Sequence, residues 1–177
     1  MLSNSNKMQT PESSYWYALR VKARSEKWVQ DRLEKLGIFS YVPINEYTRM
    51  YARKIRKVAK PLITGYVFVF SNQKRFSDIF QIPYTGKFIS EFGIPAIIPV
   101  SEIELLKRIT GEVIGQFELS DSYAVGDMVE VISGNLAGIK ARVLDIKGKK
   151  RIIVSLDSIA MGLEIHVEPS HVQKVLT

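Results

Sequence analysis

Lys22, Arg24 and Lys27 stand close together near the start of the chain, and Arg53, Lys54, Arg56 and Lys57 follow as a second cluster. Cations at this spacing suit the neutralisation of phosphates, where contacts are strong, salt-sensitive and poor in sequence information. Residues 1–60 hold thirteen Lys/Arg against five Asp/Glu, a surplus of eight, while the rest of the chain holds twelve against thirteen. A basic first half points to a polyanion, with nucleic acid the first candidate. A solvated, solubilising surface accounts for the same charges.

Other chemistry is poorly supported. The chain has no cysteine, which excludes disulfides, thiolate metal ligands and a thiol nucleophile. His166 and His171 are too few to build a metal site alone, and neither has a persuasive catalytic partner. Gly134-Asn135-Leu136-Ala137-Gly138-Ile139-Lys140 has one residue too few between its glycines for a phosphate-binding loop, and it lacks the Gly-Lys pair. The expectation is a protein that is not an enzyme and uses no cofactor or metal.

The 177 residues suffice for one ordinary domain or two small ones. Apolar residues at 46% and charged residues at 24% are in the balance of a globular protein. No apolar run reaches the roughly 20 residues that span a bilayer, and the polar N-terminus lacks the apolar core of a signal peptide. Cytoplasm is the expected compartment.

The elements that would position the cations follow from periodicity. Tyr15 to Val21 reads as a strand. Ser25 is placed to cap a helix running to about Leu36, with Trp28, Val29, Leu33 and Leu36 inward and Gly37 as the stop. Ile38 to Pro43 reads as a second strand. Asn45 to Lys60 is too cationic for a core and reads as an exposed hairpin or loop. The unbroken apolar run Tyr66 to Phe70 suits a central strand covered on both sides. A short helix over Gln73 to Gln81 and a further strand at Lys87 to Glu91 follow. Ser101 and Glu104 have capping-box spacing, with Val100 and Leu105 as a hydrophobic staple, ahead of a helix that turns Leu105, Leu106 and Ile109 inward.

After aperiodic residues 111–122 the pattern turns strand-like: Met128 to Ser133, Lys140 to Ile146, Arg151 to Leu156 and Leu163 to Val167. Short strands in so few residues imply a small closed barrel, since closure removes exposed edges. The fold class expected is α+β: an N-terminal antiparallel sheet with flanking helices, linked to a small all-β barrel. The expected limits are a disordered tail at 1–13, the α+β domain at 14–110, a linker at 111–122 and the barrel at 123–177.

Two sets of residues carry a family resemblance. Val125-Gly126-Asp127-Met128-Val129-Glu130-Val131, followed by Gly134 and Gly138 and then by Lys147-Gly148-Lys149-Lys150-Arg151-Ile152-Ile153-Val154, resembles a KOW domain, a small SH3-like barrel. Trp16-Tyr17-Ala18-Leu19 with Arg24-Ser25-Glu26, then Thr64-Gly65-Tyr66-Val67-Phe68-Val69, then Ala96-Ile97-Ile98-Pro99-Val100-Ser101-Glu102, resembles the N-terminal domain of the NusG family of transcription factors. Thr64 stands where that family has proline. The basic hairpin is more similar to specialised paralogues such as RfaH, LoaP and UpxY than to the housekeeping factor.

The resemblance implies a transcription elongation factor, working as a monomer without a membrane, that modulates pausing, termination or antitermination, with an operon-specific antiterminator favoured. Its N-terminal domain would dock on the clamp helices of the largest RNA polymerase subunit through Trp16, Tyr17, Ile63 and Tyr66. Lys22, Arg24, Lys27, Arg53, Lys54, Arg56 and Lys57 would meet non-template or upstream DNA. The KOW loop Leu136, Ala137, Gly138 and Ile139 would recruit a ribosomal small-subunit protein, the termination factor Rho, or RNA. A general housekeeping factor and a KOW-containing ribosome- or RNA-binding protein remain the alternatives.

Overall fold

The computed structural model describes residues 13–51, 54–110, 123–146 and 149–175. The expected linker, Arg53, the Lys147-Gly148 turn and all of the expected tail except Ser13 lie outside these residues. In chain order the elements are β1 (Tyr15–Val21), α1 (Glu26–Lys35), β2 (Phe39–Tyr41), β3 (Ile44–Tyr51), β4 (Lys54–Pro61), β5 (Tyr66–Ser71), α2 (Phe76–Phe80), β6 (Thr85–Phe88), β7 (Ser90–Glu91), β8 (Ile94–Pro95), β9 (Ile97–Ile98) and α3 (Val100–Thr110). There follow β10 (Met128–Val131), β11 (Lys140–Ile146), β12 (Lys149–Leu156), β13 (Met161–Ile165) and β14 (Val172–Lys174). The fold is α+β with antiparallel sheets, as the sequence implies. Among the described residues no helix is long and apolar enough to cross a membrane.

The chain divides into two compact units, Met1–Tyr41 with Gly65–Ile97 and Val42–Thr64 with Ile98–Thr177. In the first, an antiparallel sheet runs in the order β2-β5-β1-β6. The interior position of β5 explains its apolar run: Tyr66, Val67, Phe68 and Val69 are all buried, so both faces of the strand are covered. Helix α1 packs on β2 and β5, burying Val29 and Leu33. Trp28 and Leu36, expected inward, are exposed. Ser25 does not cap α1 with its side chain. Glu26 is buried instead and accepts the Gly65 N–H at 2.7 Å. The helix ends as expected at Gly37, whose φ of +68° is in the left-handed region, with the Ile38 N–H returning to the Leu33 carbonyl.

The second unit holds the β3–β4 hairpin, α3 and the antiparallel sheet β13-β12-β11-β10-β14. Helix α3 begins one residue before the expected cap, at Val100, with the Pro99 carbonyl accepting from Glu102 and Ile103. Ser101 therefore lies inside the helix, Val100 is exposed, and the Glu104 carboxylate pairs with Lys107 at 2.7 Å. Ile103, Leu106 and Ile109 form the buried stripe, and Leu105 is only half-buried.

In the C-terminal sheet, alternate residues face one core: Val129 and Val131, Ala141 and Val143, Ile152 and Val154, Leu163 and Ile165, and Val172. The Gly126-Asp127 pair has a structural purpose. Gly126 takes a φ of +98°, and Asp127 accepts the Ala124 N–H at 2.9 Å and pairs with Lys174 at 2.9 Å. The Lys174 hydrogen bond, then that of Ala124, holds the Asp127 carboxyl below its usual range. The sheet's last strand, β14, had no periodicity to announce it, being three residues long.

Candidate functional site

Four apolar residues were expected to form one patch. Strand register decides which of them can. Trp16 pairs with Phe70, Ala18 with Phe68 and Arg20 with Tyr66, so these six share one face of the β1–β5 pair. Trp16 and Tyr66 therefore lie on a common face, both buried. The Arg20 Nε donates to the Tyr66 hydroxyl at 3.1 Å. Tyr17 lies on the opposite face, packed edge-on against Phe76 at 5.1 Å and against Phe88 at 5.4 Å. Burial pushes its phenol pKa up, with a further contribution from Tyr15. Ile63 is buried in the second unit.

The accessible part of the Trp16 face is aromatic and escaped the sequence reading. Phe39 of β2 pairs in register with Phe70 of β5, which pairs with Trp16 of β1. The Trp16 ring sits 5.6 Å from Phe39 and 5.4 Å from Phe70. Phe39 is 63% exposed and Phe70 is also exposed. The result is an aromatic row with a buried tryptophan and two open rings. No local signal in the sequence places β2 beside β5.

The junction cations Lys22, Arg24 and Lys27 are all exposed. Two of the four non-glycine residues with positive φ among the described residues meet here, Arg24 at +70° and Tyr84 at +71°. Such backbone costs energy and persists where surroundings impose it, often at functional positions. The Lys22 N–H donates to the Tyr84 carbonyl at 2.9 Å, and its Nζ lies 5.4 Å from the Tyr84 ring centre. Trp28 packs edge-on to Tyr84 at 5.2 Å, and the Arg32 guanidinium lies 4.9 Å from the Trp28 ring centre. Beside Trp28 and Arg32 opens a cleft of about 520 Å³, lined also by Lys35, Leu36 and Gln81. Exposed aromatics interleaved with cations can stack unpaired bases and hold phosphates. Trp28, Arg32 and Tyr84 were missed because helical periodicity assigned Trp28 to the core.

The second cation cluster lies on the hairpin, where Lys54, Arg56 and Lys57 are exposed. In the KOW-like loop, Leu136 and Ile139 turn into the core while Ala137 and Gly138 are exposed. Gly138, with a φ of +83°, donates its N–H to the Val131 carbonyl at 2.7 Å. Arg108 of α3 donates to the carbonyls of Asn135 and Ala137 at 2.8 and 2.7 Å, and Asn135 Nδ2 returns a bond to the Arg108 carbonyl at 3.0 Å. The Glu102 carboxylate accepts from the Ser158 N–H and hydroxyl at 3.2 and 3.1 Å.

Residues 14–107 match the family model described as "NusG: Transcription termination factor nusG". The structure of Thermotoga maritima NusG titled "Domain interaction in Thermotoga maritima NusG" is similar, with a TM-score of 0.63, 21% identity, and 93% of this chain and 98% of that one covered. The MjSpt4:Spt5 complex in its conformation B matches with a TM-score of 0.32, 19% identity, and 92% of this chain and 97% of that one covered. No curated protein matches the chain.

Proposed function

The chain belongs to the NusG family of transcription factors, and we propose that it is an elongation factor that binds RNA polymerase and acts as an operon-specific antiterminator. The observation that carries this reading is the family match across residues 14–107, together with an aromatic row left open within those residues. Phe39 and Phe70 supply large rigid apolar contact, the kind that anchors protein interfaces. Trp16 supports the row from within, and Tyr66 lies farther along the same face. The partner is the clamp-helix region of the largest polymerase subunit, and the compartment is the cytoplasm, where transcription takes place in bacteria.

Residues 14–110 then act as the polymerase-binding domain and 123–177 as a KOW domain. The KOW domain recruits a ribosomal small-subunit protein, Rho or RNA at the exposed Ala137 and Gly138. The cation-rich hairpin, which resembles that of the specialised paralogues, favours the specialised type. Lys22, Arg24 and Lys27 meet the non-template strand, with Trp28 and Tyr84 offering faces for its unpaired bases.

The test is binding of the purified chain to a reconstituted elongation complex. Phe39→Ser, at an exposed position, is expected to weaken binding at least tenfold, or about 1.4 kcal/mol. Native affinity in a folded Phe39→Ser protein would remove the aromatic row from the interface. In the same assay, Lys22→Glu with Arg24→Glu is expected to flatten the dependence of log affinity on log salt by about two. An unchanged slope would mean that these cations touch no phosphate.

A further inference from the structure

Strand β4 carries the exposed cations Lys54, Arg56, Lys57 and Lys60, and strand geometry sorts them. Side chains alternate along a strand, so Lys54, Arg56 and Lys60 lie on one face of the β3–β4 ribbon and Lys57 on the other. The ladder runs without slip from Ile44 opposite Pro61 to Tyr51 opposite Lys54, so the division holds along the whole ribbon. Residues directly opposite one another share a face. Glu46, the one acid between Ile44 and Pro61, stands opposite Ala59 and therefore on the face of Lys57. So does Met50, opposite Ile55. The first face thus holds cations without an acid. The second mixes a cation and an acid with apolar residues.

A surface that serves solubility alone intersperses both signs of charge. Here the acid is sorted off one face, and among the described residues no acid pairs with Lys54, Arg56 or Lys60. The ribbon also holds these cations in a fixed row. At its base Val42, Pro43 and Ile63 are buried, and the Leu62 N–H donates to the Pro43 carbonyl at 2.7 Å. From Lys54 to Lys60 the row runs about 20 Å along an extended strand. A stiff row of one sign matches a stiff polyanion. Duplex DNA stays straight over far more than this length, and with one phosphate per 3.4 Å of each strand the row spans about six. A flexible single strand would have to give up conformational freedom to follow the same row.

We propose that the Lys54–Arg56–Lys60 face of the ribbon docks along the phosphates of duplex DNA, with Lys57 turned away from it. Its contacts are to the DNA backbone, so they add affinity and fix position without a base preference. Lys60 joins the cations expected at DNA, and Lys57, an exposed residue of the same strand, leaves them. The inference rests on the reading of this chain as a factor that binds polymerase beside upstream DNA.

The test uses the full chain, a short dye-labelled DNA duplex and one strand of it alone, with affinity followed by fluorescence anisotropy over a salt series. Arg56→Ala is expected to flatten the dependence of log affinity for the duplex on log salt by about 0.9, and Lys54→Ala with Arg56→Ala and Lys60→Ala by about 2.7. Lys57→Ala removes the same charge one residue away and is expected to leave the slope at its native value. The triple variant is expected to lose more affinity for the duplex than for the single strand. Circular dichroism confirms the fold of each variant. Equal flattening by Arg56→Ala and Lys57→Ala would mean diffuse attraction by charge and overturns the proposal, as does a native slope in the triple variant. An equal or greater loss on the single strand overturns the duplex as the partner. Elongation-complex binding is measured alongside. A chain that binds the complex but not the duplex overturns the ribbon's role alone, and one that binds neither overturns the functional reading with it.

Discussion

Phe68→Ala is expected to cost about 3–5 kcal/mol of folding stability, the range for truncating a large aromatic in a packed core. Phe68 is fully buried on the interior strand β5, in register with Ala18 on one side and Tyr41 on the other. Because its neighbour on β1 is alanine, the ring itself fills the space over that strand, and few atoms could move in to close the gap. Domains are stable by only about 5–15 kcal/mol, so the variant would retain a fraction of the native margin. Urea denaturation measures the effect as a lowered midpoint at an unchanged slope. Phe68→Leu, which keeps most of the volume, is expected to lose less than about 1.5 kcal/mol. An alanine variant within about 1 kcal/mol of native would mean that the ring does not fill this core.

Glu26→Ala is expected to cost about 2–3 kcal/mol, through one joint rather than through packing. The buried carboxylate accepts the Gly65 N–H at 2.7 Å, and the Gly65 carbonyl accepts the Val21 N–H at 2.9 Å. One glycine thus ties the end of β1, the first turn of α1 and the start of β5. It does so at a φ of +82°, where a side chain would be strained. Removing the acceptor leaves a part-buried donor without a partner and takes a negative charge from the positive end of the helix. Glu26→Gln keeps an acceptor oxygen and is expected to retain most of the stability. Hydrogen exchange at the Gly65 amide separates the two outcomes: fast exchange in the alanine variant alone supports the joint, and equal protection in all three proteins would dismiss it.

Both residues illustrate how far local pattern reaches. The apolar run at Tyr66 to Phe70 announced a doubly covered strand, because a strand with one wet face alternates and this one does not. It could not reveal that Ala18 would be the neighbour of Phe68. Glu26 read as an ordinary polar residue in a first turn, since nothing nearby in sequence shows that its acceptor role lies at residue 65. The same limit explains α1. Its apolar residues were all assigned inward, yet Trp28 and Leu36 face a cleft while the charged Glu26 is buried. Helical periodicity gives the angular positions of side chains, and only the neighbour decides which sector is covered. The cap at Ser25 and the capping box at Ser101 fail for a related reason. Hydroxyl caps compete with other ways of meeting the free N–H groups, and at α3 the chain enters the helix from Pro99 instead.

By itself the sequence determined the nature and order of the main elements, the α+β class with antiparallel sheets and the cation-rich exposure of the hairpin. These follow from composition, alternation, turn glycines and charge, which act within a few residues of chain. Tertiary structure alone decided that Trp16 and Tyr66 share a face while Tyr17 turns away, that Phe39 and Phe70 open a row beside them, and that Tyr84 meets Lys22 and Trp28. Each of these depends on a register between segments distant in sequence. A one-residue slip in that register would exchange the two faces of the strand.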